Sequence, residues 1–140
     1  MKILAIDFGD ARTGLAVCDE LEILATPLKV IKHKNTEALV EEIKKIIDEN
    51  SIQGLVLGLP KNMDSSLGFR AQKSLEFAKK LEEETGIEVA LWDERLTTVA
   101  AHGFLNTTNV RGKKRKNLVD AVAATIILQD YINSRKNQNF

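Results

Sequence analysis

The chain has 140 residues, 44% of them apolar, with no shift in composition along its length, which is the size of one compact domain and leaves no room for a second. Twenty basic and twenty acidic residues cancel, so a globally cationic or acidic surface is excluded and any attraction to nucleic acid must come from local charge. One cysteine, Cys18, excludes an intramolecular disulfide framework and suits a reducing cytosol; the opening MKILAIDFGD is too short an apolar run, too soon followed by acid, for a signal peptide or membrane span, so a soluble cytoplasmic protein is expected.

Residues 2–9 place Ile3 and Ala5 on one strand face and Leu4, Ile6 and Phe8 on the other, the pattern of a strand covered on both sides. Asp7 shares the Ile3 and Ala5 face and interrupts the apolar run where GDARTG supplies turn residues. LAVCD and LEILATPLKVI then read as two more strands, making a meander of three antiparallel neighbours. The period changes at NTEALVEEIKKIIDEN, where Leu39, Val40, Ile43, Ile46 and Ile47 form one helical stripe and Asn35 or Thr36 is available as N-cap. IQGLVLGLP is a continuous apolar run, expected of a strand buried on both faces, and PKNMDSSLG is a loop. Ala71, Leu75, Ala78 and Leu81 recur at helical spacing before a stop at Gly86, and IEVALWD returns to extended structure. A short helix is expected from Thr97 or Thr98, and a longer one over roughly 118–131, separated by the polar, basic loop NTTNVRGKKRKN. The tail NSRKNQNF is expected to fray, giving a single domain over residues 1–134 and a flexible end over 135–140.

Three antiparallel strands followed by strand–helix crossovers predict an α/β fold: a mixed five-stranded sheet with helices on both faces, the ribonuclease H-like architecture. In such sheets ligands bind beyond the carboxyl ends of parallel strands, and Asp7 and Glu94 stand at two such ends. Asp120 shares a helical stripe with Ala123, Ala124 and Ile127. Each acid has a bland reading: Asp7 as a turn former, Asp120 as a complement to the helix dipole, Glu94 as a surface partner of Arg95. Gathered at one place, the three would repel unless a divalent cation compensated them. An oxygen-only donor set points to Mg²⁺ or Mn²⁺, and no Cys/His cluster suggests zinc. If the first and last strands flank the fourth they stand roughly 9–10 Å apart, which favours the longer Glu94 over Asp93.

These residues resemble a known family. AIDFGDARTGLAVCD, GLPKNMDSSLGFRAQ, DERLTT and VDAVAATIILQDYI together are similar to the YqgF-type pre-16S ribosomal RNA nucleases, a group also known as Holliday-junction resolvases, over about residues 3–132. Cys18 stands where that family usually has Ser, and Ser65 where Gly is common. The resemblance implies divalent-metal hydrolysis of phosphodiesters in ribosomal RNA precursors and contact with ribosomal particles; the sequence is compatible with a monomer or a homodimer. It places the family's acids on Asp7, Glu94 and Asp120, with Asp64 in reserve, and implies two-metal hydrolysis with Asp7 bridging the ions.

Lys113, Lys114, Arg115 and Lys116, next to Arg111, precede Asp120 and are candidate phosphate contacts, as are Arg12, Lys61, Arg70 and Arg95; the alternative for the run is a solvated loop. Cys18, His33, His102 and Trp92 read as core, packing or surface residues. Three rival functions are a resolvase of branched DNA, a catalytically silent RNA-binding assembly factor and an actin-like kinase, the last requiring a second domain.

Overall fold

In a computed structural model, residues 1–60, 68–93 and 112–137 are described; within 112–120 and at 137 this covers the backbone alone. The elements run β1 (Ile3–Asp7), β2 (Arg12–Cys18), β3 (Ala25–Lys32), α1 (Thr36–Asn50), β4 (Gly54–Leu59), α2 (Phe69–Thr85), β5 (Val89–Asp93) and α3 (Gly112–Asn137). The strands form one sheet in the order β3-β2-β1-β4-β5. β1, β2 and β3 pair antiparallel as a meander, and β4 runs parallel to both β1 and β5.

The strand alternation read from the sequence divides the core into two layers. Leu4, Ile6, Leu15, Leu55 and Leu57 pack beneath Leu39, Val40 and Ile43 of α1 and Phe77, Ala78 and Leu81 of α2. Ile3, Ala5, Ala16 and Val56 pack beneath Ala124, Ile127, Leu128 and Ile132 of α3. β1 thus contributes fully buried side chains to both layers, as a central strand must. Asn35 is the N-cap of α1, its side chain accepting from the Ala38 amide at 2.8 Å. Gly86 ends α2 in the left-handed region at φ 72.

Three boundaries differ from the sequence reading. Residues 21–24 are a loop rather than the start of β3, because the Asp19 carboxylate takes the amides of Leu21, Ile23 and Leu24 at 3.2, 2.9 and 2.9 Å. The basic run from Lys113 to Lys116 belongs to α3 and not to an interhelical loop. Lys and Arg are good helix formers, but the apolar stripe that reveals a helix begins only at Leu118, and cations at a helix N-terminus oppose its dipole. At the other end α3 continues through the expected frayed residues 133–137, where Arg135 pairs with Glu22 at 2.7 Å across the fold. The short helix expected near Thr97 lies outside the described residues. No helix among the described residues is long and apolar enough to cross a membrane.

Candidate active site

The carboxyl ends of β1, β4 and β5 open at one edge of the sheet, since all three run parallel. Asp7 is the last residue of β1 and half-buried. It follows Ile3 and Ala5 on the face covered by α3, so its side chain emerges beyond an apolar layer that excludes water beneath it. Its cross-strand partner on β2 is Gly14. On the other side Ile6 pairs with Leu57, which sets Asp7 level with Gly58 of β4. Two glycines therefore flank the carboxylate, and neither neighbouring strand places a side chain beside it.

β5 lies two strands from β1, with β4 between them, as the argument for a long acidic side chain requires. Val89 packs in the layer under α1 and α2, whereas Ala90 and Trp92 pack in the layer under α3. By the same alternation Asp93 points away from the face of Asp7. Trp92 meets Tyr131 of α3 edge-on at 6.0 Å and packs, partly buried, against the core under α3. Arg12 opens β2 at the far side of the turn after Asp7, and Arg70 is exposed in the first turn of α2, which follows β4. Lys61, Asp64, Glu94, Arg95, His102 and Arg111 lie outside the described residues, as do the side chains of Lys113, Lys114, Arg115, Lys116 and Asp120. Among the described residues no three His, Cys, Asp or Glu side chains group closely enough to hold a metal ion. Asp7 alone among the described acids occupies the α3 face at the carboxyl edge, so a cation there needs donors from the remaining segments. An all-oxygen set of Asp7, Glu94 and Asp120 suits a hard divalent ion.

The turn after Asp7 is tight. A Cβ placed on Gly9 would meet the Arg12 carbonyl oxygen at 2.2 Å, so only glycine fits. Thr13, fully buried, accepts from the Gly9 amide at 3.4 Å and shares a hydrogen bond with His33 Nε2 at 2.9 Å. The His33 amide donates to the Ala11 carbonyl at 3.0 Å. Its ring stacks on Phe8, which stacks on Phe77 of α2 with centroids 4.4 Å apart. The sequence reading treated His33 as a surface or packing residue and passed over Thr13, because a bond spanning twenty residues leaves no local signal.

Burial pushes the His33 pKa below its ordinary value of 6.5, against the opposing pull of Asp10 and a hydrogen bond to the Gly9 backbone. Folding therefore favours the neutral ring. Above the unfolded value neither state gains a proton there; as the pH falls through it, the unfolded chain protonates first and stability drops. The melting temperature should fall more between about pH 7.5 and 5.5 in the unaltered chain than in His33→Phe. Parallel pH profiles would show that His33 contributes no such linkage.

A cavity of about 370 Å³ beside this turn opens on the other face of the sheet, lined by Phe8, His33 and Phe77. Its lysines Lys34, Lys73 and Lys80 are matched by Asp10, Glu37 and Glu76, so it has no net field for a phosphate backbone. Cys18 is buried, its Sγ accepting from the Ile3 amide at 3.3 Å, and burial raises its pKa. Such a thiol is inert as a nucleophile.

A family model described as RuvX: Holliday junction resolvase matches residues 1–134. The chain is 44% identical over 133 residues to a protein of Halothermothrix orenii named "Putative pre-16S rRNA nuclease", covering 95% of each. A protein of the same name from Clostridium botulinum (strain Hall) is 45% identical over 134 residues, covering 96% of this chain and 98% of the other. Among solved structures, T. thermophilus RuvC in complex with Holliday junction substrate superposes with a TM-score of 0.63 at 16% identity, over 98% of this chain and 96% of that one. The fowlpox virus Holliday junction resolvase gives 0.56 at 15% identity, over 96% and 99%. At these identities the structural likeness is one of fold, the ribonuclease H-like fold expected from the order of elements. The family match over nearly the whole chain, together with relatives above 40% identity, is decisive: this protein belongs to the RuvX family.

Proposed function

We propose that this chain is a divalent-metal-dependent nuclease that matures the 5′ end of precursor 16S ribosomal RNA during ribosome biogenesis. The observation that carries the reading is the placement of Asp7 at the carboxyl end of the central strand, between Gly14 and the level of Gly58, in a chain whose relatives bear nuclease names. In the sequence Glu94 follows Ala90 and Trp92 at the two-residue spacing of one strand face, which supports grouping it with Asp7. In the sequence Asp120 precedes Ala124 and Ile127 by four and seven positions, the spacing of one helical stripe. Asp7, Glu94 and Asp120 would hold Mg²⁺ or Mn²⁺, which when bound supply Lewis-acid activation of water and of the scissile phosphate. Asp7, the most central acid, would be the principal member of this donor set. The chain then needs no nucleophilic side chain of its own, and Arg12, Lys61, Arg70, Arg95 and the run Lys113–Lys116 position the backbone phosphates.

Purified protein with Mn²⁺ should cut precursor 16S RNA in preference to generic single-stranded RNA. A four-way DNA junction belongs in the same assay, because the family description and the RuvC-like fold favour branched DNA as the second reading. Preferential cleavage of the junction overturns the RNA assignment, and no cleavage of any substrate overturns the enzyme reading.

Mn²⁺ or Mg²⁺ should also raise the melting temperature by mass action on a site present only in the folded chain, and the shift should vanish in Glu94→Gln combined with Asp120→Asn. An equal shift in that double variant would place the ions elsewhere. Changing Lys113, Lys114 and Arg115 to Ala should flatten the dependence of log affinity on log salt by about 2 for single-stranded RNA, through the loss of three phosphate contacts. An unchanged slope, read by fluorescence anisotropy in Ca²⁺, would leave these side chains solvated.

A further inference from the structure

We propose that Thr13 and His33 are positioning residues for Asp7, locking the turn that follows it so that the carboxylate is held in place before any cation arrives. The inference rests on the reading of Asp7 as a cation ligand. It starts from the two glycines: with Gly14 on one side and Gly58 level on the other, neither neighbouring strand sets a Cβ beside Asp7. Asp7 is also the last residue of its strand, so its placement depends on what the turn does next.

That turn is held at two points by one residue from the β3–α1 junction. The His33 ring lies stacked on Phe8, interplanar angle 10°, while its amide holds the Ala11 carbonyl at 3.0 Å. Thr13 closes the arrangement from inside. It is a fully buried hydroxyl whose oxygen receives the Gly9 amide and whose second partner is His33 Nε2 at 2.9 Å. A buried hydroxyl is costly unless bonded, so Thr13 favours the one turn geometry that satisfies it. The absence of room for a Cβ at Gly9 removes slack from the same loop. Phe77 carries the restraint into α2 through its stack on Phe8. The result is a polar couple, Thr13 fully buried and His33 half-buried, on the face opposite Asp7, that sets where Asp7 ends.

The full chain with Thr13→Val, Thr13→Ser or His33→Phe tests this. Val is isosteric but lacks the hydroxyl, Ser restores it, and Phe keeps the aromatic stack while losing both ring nitrogens. Mn²⁺ affinity is read from the electron paramagnetic resonance of free Mn²⁺, below the melting temperature of each variant measured in chelator. Thr13→Val and His33→Phe should bind Mn²⁺ at least about tenfold more weakly, the scale on which residues supporting a metal ligand act. Thr13→Ser should stay within about twofold of the unaltered chain. Unchanged affinity in Thr13→Val, or a loss in Thr13→Ser equal to that in Thr13→Val, overturns the proposal even if melting temperatures fall, since the couple would then serve stability alone. Should Thr13→Val not fold, His33→Phe decides by the same criterion. Absence of Mn²⁺ binding by the unaltered folded chain overturns the metal reading itself and the positioning role with it.

Discussion

Asp7→Asn should lower phosphodiester cleavage by at least about a thousandfold, the scale on which loss of a principal transition-state electrostatic group acts, and should melt in chelator no earlier than the unaltered chain. The amide keeps the size and shape of the carboxylate, so the strand end, the α3 layer beneath it and the glycine neighbours stay as they are. What is lost is the charge by which the residue would hold two cations. If Glu94 and Asp120 stand beside it as proposed, removing one of several like charges relieves repulsion in the metal-free chain. Cleavage and melting should therefore move independently. Metal-dependent cleavage retained by Asp7→Asn, purified free of contaminating nuclease, would end the assignment of Asp7 to the site.

Gly9→Ala should damage both stability and activity, by a different route. The added methyl would meet the Arg12 carbonyl at 2.2 Å, and that atom is backbone, with no rotamer to escape into. The turn must open, at a cost of about 1–3 kcal/mol by analogy with overpacked cores. Opening it pulls on the Thr13 and His33 bonds and displaces the end of β1, so Mn²⁺ affinity should fall together with the melting temperature. Gly86→Ala is the control. Gly86 has a positive φ of 72 but nothing within 4 Å of an added Cβ, so that change should cost only about 1 kcal/mol of left-handed strain and leave metal binding unaltered. Equal metal affinity in Gly9→Ala and the unaltered chain would show that the turn does not govern Asp7.

Alternation and helical spacing alone were enough to determine the order of the described elements, the division of β1 between two apolar layers, the stripes of α1 and α2 and the stop at Gly86, and they narrowed the cap of α1 to Asn35 or Thr36. These are properties of neighbours one to four positions apart, and buried periodicity is written directly into the chain. Asp7 was legible for the same reason, as a charge where the period demanded an apolar residue. The limits of the elements were less so. The expected strand start at Leu21 yielded to a loop gathered by Asp19, and α3 extends beyond its apolar stripe at both ends, because a side chain that takes up amides, a run of good helix formers or a distant ion pair such as Glu22–Arg135 carries no period.

Tertiary structure alone decided what surrounds Asp7. Only the pairing of β1 with β2 and β4 shows that it stands between Gly14 and the level of Gly58, and only the division of β5 between two layers turns Asp93 away from its face. The bond from Thr13 to His33 spans twenty positions, and the stack of Phe8 on Phe77 joins the first strand to the second helix. Contacts of this kind depend on register and on which elements the fold brings side by side, and a sequence records each partner without recording that they meet.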